Sequence, residues 1–133
     1  MSESFILESQ IRLPYRYAVG KWYGAFLLGL TEQRLVGSRC SACAKVAVPA
    51  RAVCPICSAA SEGLVEVGPR GTVVAAARDE RSEGRSWLVV KPDGAETSLL
   101  SYGEADPGST VEPEYDPGGE PVIETLRGFR PVA

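Results

Sequence analysis

Two Cys-x-x-Cys pairs, Cys40-Ser41-Ala42-Cys43 and Cys54-Pro55-Ile56-Cys57, stand ten residues apart in a chain of 133. Zinc prefers four tetrahedral ligands, and each Cys-x-x-Cys turn places two thiolates on adjacent corners without strain. Two such turns at the ends of short strands make a zinc-ribbon arrangement, with Cys40, Cys43, Cys54 and Cys57 as the metal ligands. The competing readings are a thioredoxin-like dithiol and a rubredoxin-type iron site. A dithiol motif opens a helix after a buried strand, whereas Ala44-Lys45-Val46 reads as a hairpin. A four-cysteine site is closed, with no position left for a reacting water, so the metal is a structural staple. Basic Arg39, Lys45 and Arg51 nearby are candidates to offset the thiolate charge.

The chain contains no histidine. That excludes Ser-His-Asp and Cys-His nucleophile systems and every mixed Cys/His metal site. An autonomous enzyme would have to use carboxylates, lysines, tyrosines or cysteines. Asp79, Glu80 and Glu83 are the nearest to such a set, but they fall in a highly charged stretch, Arg78–Arg85, that reads as a solvated loop.

Formal net charge is −3, unevenly spread: residues 71–133 hold six basic and twelve acidic groups. A zinc ribbon followed by a small barrel could serve as a nucleic-acid-binding module, but such modules present a basic face, and this segment does not. No apolar run approaches the ~20 residues that cross a bilayer, and the start Met1-Ser-Glu-Ser has an acid where a signal peptide needs a base. A cytoplasmic location is expected, in which four cysteines are not explained by disulfides.

Residues 1–34 read as an N-terminal arm, with a short strand at Gln10–Leu13, followed by an amphipathic helix from about Val19 to Gln33. Trp22, Phe26 and Leu30 recur every four residues with Tyr23 and Leu27 beside them. Such a stripe either packs on the domain's own core or docks on another chain. Trp22, Tyr23, Phe26 and Leu30 are taken as the candidate partner interface. Gly20, Gly24 and Gly29 weaken the helix by about 1 kcal/mol each, so packing must hold it.

Residues 35–67 form the ribbon, with short strands at Lys45–Pro49 and Leu64–Val67. Over residues 68–133, strands are expected at Thr72–Arg78, Ser86–Lys91, Glu96–Tyr102, Thr110–Tyr115 and Pro121–Leu126. Turns such as Pro92-Asp93-Gly94 and Asp116-Pro117-Gly118-Gly119 separate them. The fold class is therefore mainly β: a helical arm, a four-cysteine ribbon and a five-stranded OB-fold barrel.

This order of parts resembles a family of small acyl-CoA-associated proteins in which a rubredoxin-like zinc ribbon precedes an OB-fold. The residues carrying the resemblance are Pro14-Tyr15-Arg16-Tyr17 with Gly20, the Phe26–Leu30 helix, Gly37-Ser38-Arg39-Cys40, the run Val48–Cys57, Val67–Val73 and the closing Gly128-Phe129-Arg130-Pro131-Val132. The departures are Ala44 and Ser58 where a glycine usually follows each cysteine turn, Ala50 in place of a second proline, and Leu64 where a tryptophan is frequent. The long N-terminal arm is similar to that of the benzoylsuccinyl-CoA thiolase type.

The resemblance implies a non-catalytic accessory subunit, hetero-oligomeric with a thiolase-like catalytic subunit. It would carry structural Zn2+ and help hold coenzyme A or acyl-CoA jointly with that partner. Coenzyme A carries several phosphate charges, so arginines are required; the candidates are Arg51, Arg70, Arg78 and Arg130.

Overall fold

The computed structural model describes residues 18–80 and 85–132. The expected strand at Gln10–Leu13, the Pro14–Tyr17 motif and Glu83 lie outside them.

Helix α1, Gly20–Thr31, enters without a side-chain cap among the described residues and has no acid in its first turn. Its stability comes from packing instead. Phe26 and Leu30 are 0% exposed, and Leu27 is buried with them. They join Leu35, Val46, Val48 and Val67 of the ribbon, and Val73, Leu88, Val111 and Phe129 of the barrel, in one buried cluster. The candidate interface is thereby corrected at two positions. Phe26 and Leu30 are turned into the chain's own core, and Trp22 and Tyr23 are half-buried against its edge. The helix can lie this low because of Gly29, where a Cβ would stand 2.6 Å from Val36 Cγ2 on the strand beneath.

Three strands form the first sheet, in the order β2-β1-β3: β1 Leu35–Cys40, β2 Val46–Ala47 and β3 Ser61–Val67. Both pairings are antiparallel, with Leu35 opposite Val67 and Ser38 opposite Ala47. The segment Leu35–Cys40, where the sequence predicts no strand, is thus the central strand. Its burial on nearly every residue hides the alternation that marks a strand in sequence.

The second sheet contains β4 Gly71–Asp79, β5 Arg85–Pro92, β6 Leu99–Tyr102, β7 Thr110–Tyr115 and β8 Leu126–Pro131, in the order β6-β5-β4-β7-β8. It curls so that its two edge strands meet: a Cβ on Gly103 would run into the Phe129 carbonyl, and one on Gly128 would stand 2.5 Å from the Tyr102 carbonyl oxygen. Counted within the barrel, the ring runs 1-2-3-5-4, the connectivity of an OB-fold. Val74 is an extra residue in β4 where the register to β5 shifts, a bulge that helps the sheet curve.

The last strand differs from expectation. Pro121–Leu126 was expected, but Ile123–Thr125 form a 3₁₀ turn and the strand is Leu126–Pro131. Thr125 closes the turn by donating from Oγ1 to the Glu120 carbonyl at 2.5 Å. Val122 and Ile123, whose apolar character suggested a strand, are exposed, while Leu126 and Phe129 fill the barrel.

Ribbon and barrel are clamped by the loop before β6. Thr97 Oγ1 accepts from the Val48 amide at 2.9 Å and donates to the Val48 carbonyl at 3.0 Å, while the Glu96 amide donates to the Val46 carbonyl at 2.7 Å. Thr97→Val keeps the shape but leaves both polar groups of buried Val48 unpaired. A loss of about 1–3 kcal/mol is expected in chemical denaturation. A change under 0.5 kcal/mol, about the scale of a neutral surface substitution, would mean that water replaces the clamp.

No described helix is long and apolar enough to cross a membrane.

Candidate metal centre

The two cysteine turns are built alike. In the first, the Cys40 amide donates to the Lys45 carbonyl at 2.9 Å and the Ala44 amide to the Cys40 carbonyl at 3.2 Å. In the second, the Cys54 amide donates to Ala59 at 2.8 Å and the Ser58 amide to Cys54 at 3.0 Å. Both turns close with a left-handed residue, Ala44 at φ 61° and Ser58 at φ 68°. These are the positions where glycine is the unstrained choice, which gives the two sequence departures their physical meaning. A non-glycine residue there costs about 1–2 kcal/mol, of which glycine's greater chain entropy returns part. Ala44→Gly and Ser58→Gly are each expected to stabilise the metal-loaded chain by up to about 1 kcal/mol, read as a rise in melting temperature. A fall on both would show that the left-handed turns are not strained.

The four sulfurs lie within 4.8 Å of one another, with Cys40 Sγ 3.3 Å from Cys57 and Cys43 Sγ 3.7 Å from Cys54. Thiolates about 2.3 Å from a tetrahedral zinc ion would be spaced by roughly 3.8 Å, so this donor set fits the ion.

Backbone amides already point at the sulfurs. Cys40 Sγ accepts from Cys43 at 3.5 Å and Ala42 at 3.4 Å, and Cys54 Sγ accepts from Ile56 at 3.4 Å. The Cys43 amide, with that of Ala42 and the neighbouring thiols, pulls Cys40 down to about 6 against the cost of burial. The amides of Cys57 and Ile56 lower Cys54 in the same way. At Cys43 the Lys45 amide also pulls down, but burial and the three surrounding sulfurs outweigh it and push the thiol up to about 11. Four thiolates this close cannot all ionise without a cation among them. The groups that lower Cys40 and Cys54 are peptide amides and neighbouring thiols, with Arg39, Lys45 and Arg51 not among them.

The four candidate phosphate-binding arginines are not brought together. Arg70 and Arg78 flank opposite ends of β4, some 25 Å apart by strand rise. Arg78 lines a cleft that also holds Glu104 and Asp106. Arg130 is ion-paired to Glu112 at 2.8 Å, with Glu114 at 4.0 Å. Arg70 is exposed in the ribbon–barrel link. Arg51 stands apart, beside α1 on an apolar cleft.

Glu80 is exposed beyond the end of β4. Burial, with Glu66 nearby, pushes the Tyr115 phenol up to about 12, so it stays neutral. Sequence reasoning missed Ser38 and Thr97, whose hydroxyls fix the segment between the cysteine pairs. Their bonding roles are not legible locally, because their partners are 13 and 49 residues away.

Residues 29–62 match the family described as ChsH2, rubredoxin-like zinc ribbon domain. Comparison with curated proteins returns no match. Among solved structures, a DUF35-family protein of unknown function from Sulfolobus solfataricus superposes with a TM-score of 0.64. It is 23% identical, over 81% of this chain and 83% of that one. A chain of the structure described as Ltp2-ChsH2(DUF35) aldolase gives the same score and identity, over 87% of this chain and 98% of that one. The likeness shows that the helix, ribbon and barrel form one recurring fold. Residues 29–62 are thus similar to the ChsH2 rubredoxin-like zinc ribbon domain, in a chain whose fold is that of the DUF35-family structure.

Proposed function

We propose that this chain is a non-catalytic, zinc-stapled accessory subunit of a thiolase-type complex that makes or breaks a carbon–carbon bond in an acyl-CoA. It stabilises the catalytic partner and helps hold the coenzyme. The observation that carries the reading is the four-cysteine cluster, a donor set that closes around a metal, in a chain with no histidine, the side chain most often used for proton transfer at neutral pH. The fold shared with a chain of the structure described as Ltp2-ChsH2(DUF35) aldolase supports the choice of partner class.

Within this reading the cysteines hold the ion, which contributes folding energy and no reacting position. The chain's own work is to bind and orient. The partner supplies the nucleophile and the proton transfers, and a cytoplasmic setting goes with the reduced cysteines.

Whether a neighbouring reading frame encodes a thiolase-like protein, and whether that protein assembles with this chain on co-expression, tests the reading. A stable hetero-oligomer on size-exclusion chromatography is expected. Full separation of the two chains at micromolar concentration would contradict it. The nucleic-acid alternative is disfavoured by the excess of acidic groups over residues 71–133 and by the pairing of Arg130 with Glu112.

A further inference from the structure

We propose that the cleft between the start of α1 and residues 49–52 binds the phosphorylated nucleoside end of a nucleotide cofactor. The proposal rests on the acyl-CoA reading, since coenzyme A ends in a phosphorylated adenosine, and it locates that end away from the barrel.

The cleft encloses about 420 Å³, within the range of small-molecule sites. Its walls are apolar and aromatic: Val19, Trp22, Tyr23 and Pro49, with Lys21 and Arg51 as its charged residues. A purine needs flat apolar walls, and its phosphates need cations at the rim. The charge pattern is distinctive. Four other clefts hold a cation, and each also holds a carboxylate: Arg78 with Glu104, Arg34 with Glu66, Arg130 with Glu114, and Lys91 with Asp93. Among the described residues, the α1 cleft is lined by two cations and no acid. Neither Lys21 nor Arg51 has an ion-pair partner among the described residues.

Arg51 is also held in place from both sides. Its amide donates to Ser38 Oγ at 2.9 Å, and its carbonyl accepts from Ser61 Oγ at 2.5 Å. Ser38 is itself buried on the central ribbon strand. Lys21 Nζ stands 5.4 Å from the centre of the Trp22 ring, so positive charge lies directly beside an aromatic wall. A fixed backbone under one cation and a ring beside the other give a preorganised seat for an aromatic anion.

The test is titration of the full-length, zinc-loaded chain with adenosine 3′,5′-bisphosphate, followed by calorimetry and by the Trp22 indole NMR signal, with Trp87 as internal control. Saturable binding that shifts Trp22 and not Trp87 is expected. Arg51→Ala and Lys21→Ala should each weaken it about tenfold, as should raised salt to a lesser degree. Arg78→Ala should leave it unchanged. Absence of binding, or binding indifferent to both Arg51→Ala and Lys21→Ala, would overturn the proposal. So would loss of partner assembly in Arg51→Ala without nucleotide binding, which would make the cleft a protein seat. The assembly test stands separately: a hetero-oligomer that binds coenzyme A independently of Lys21 and Arg51 would leave the accessory role intact and refute only this site.

Discussion

Cys54→Ser is expected to lose its zinc and unfold the ribbon, and Cys40→Ser to do the same. Apparent binding free energies of structural zinc sites are on the order of 10–16 kcal/mol, larger than the ~5–15 kcal/mol that holds a typical domain together. The damage should spread beyond the ligands. Val46, Val48 and Ala50, strung between the two cysteine turns, belong to the same buried cluster as Phe26, Leu88 and Phe129. Metal analysis and circular dichroism should therefore fall together, and a chelator should reproduce the result in the unaltered chain. A Cys54→Ser protein with full zinc content and an unchanged spectrum would refute the four-ligand centre.

The second large effect is at Phe26. It is fully buried beneath α1, and removing a buried phenylalanine ring typically costs about 3–5 kcal/mol. Phe26→Ala should lower the stability of the isolated chain by that amount, whether or not a partner is present. An interface residue behaves differently, weakening the complex while leaving the monomer intact. Normal monomer stability with a weakened complex would return Phe26 to the partner surface.

The contrast between these two positions shows how much the sequence carried. Cysteine spacing specifies a metal site almost without context, because four thiolates and two short turns admit few alternatives. The barrel strands were legible where turn residues bracket them, as at Pro92-Asp93-Gly94 before β6. Periodicity placed α1 correctly, but it reports that a helix has an apolar face and not what covers that face. Here β1 and the core cover it. Leu35–Cys40 escaped as a strand because burial on both sides removes alternation, and Pro121–Leu126 misled because Val122 and Ile123 are apolar yet exposed. Ala44 and Ser58 became informative only once their left-handed backbone was known. The four arginines show the opposite limit. Composition can nominate cations for a phosphate, but which of them are already paired to a carboxylate is a tertiary fact.

The proposed accessory role is a division of labour, in which this chain holds and another reacts. Acyl-CoA turnover, measured for the purified chain alone, for the thiolase-like partner alone and for the two combined, tests that division most directly. The account predicts no turnover by this chain alone and full activity only in the combination. Steady acyl-CoA cleavage or condensation by the isolated, zinc-loaded chain would contradict it.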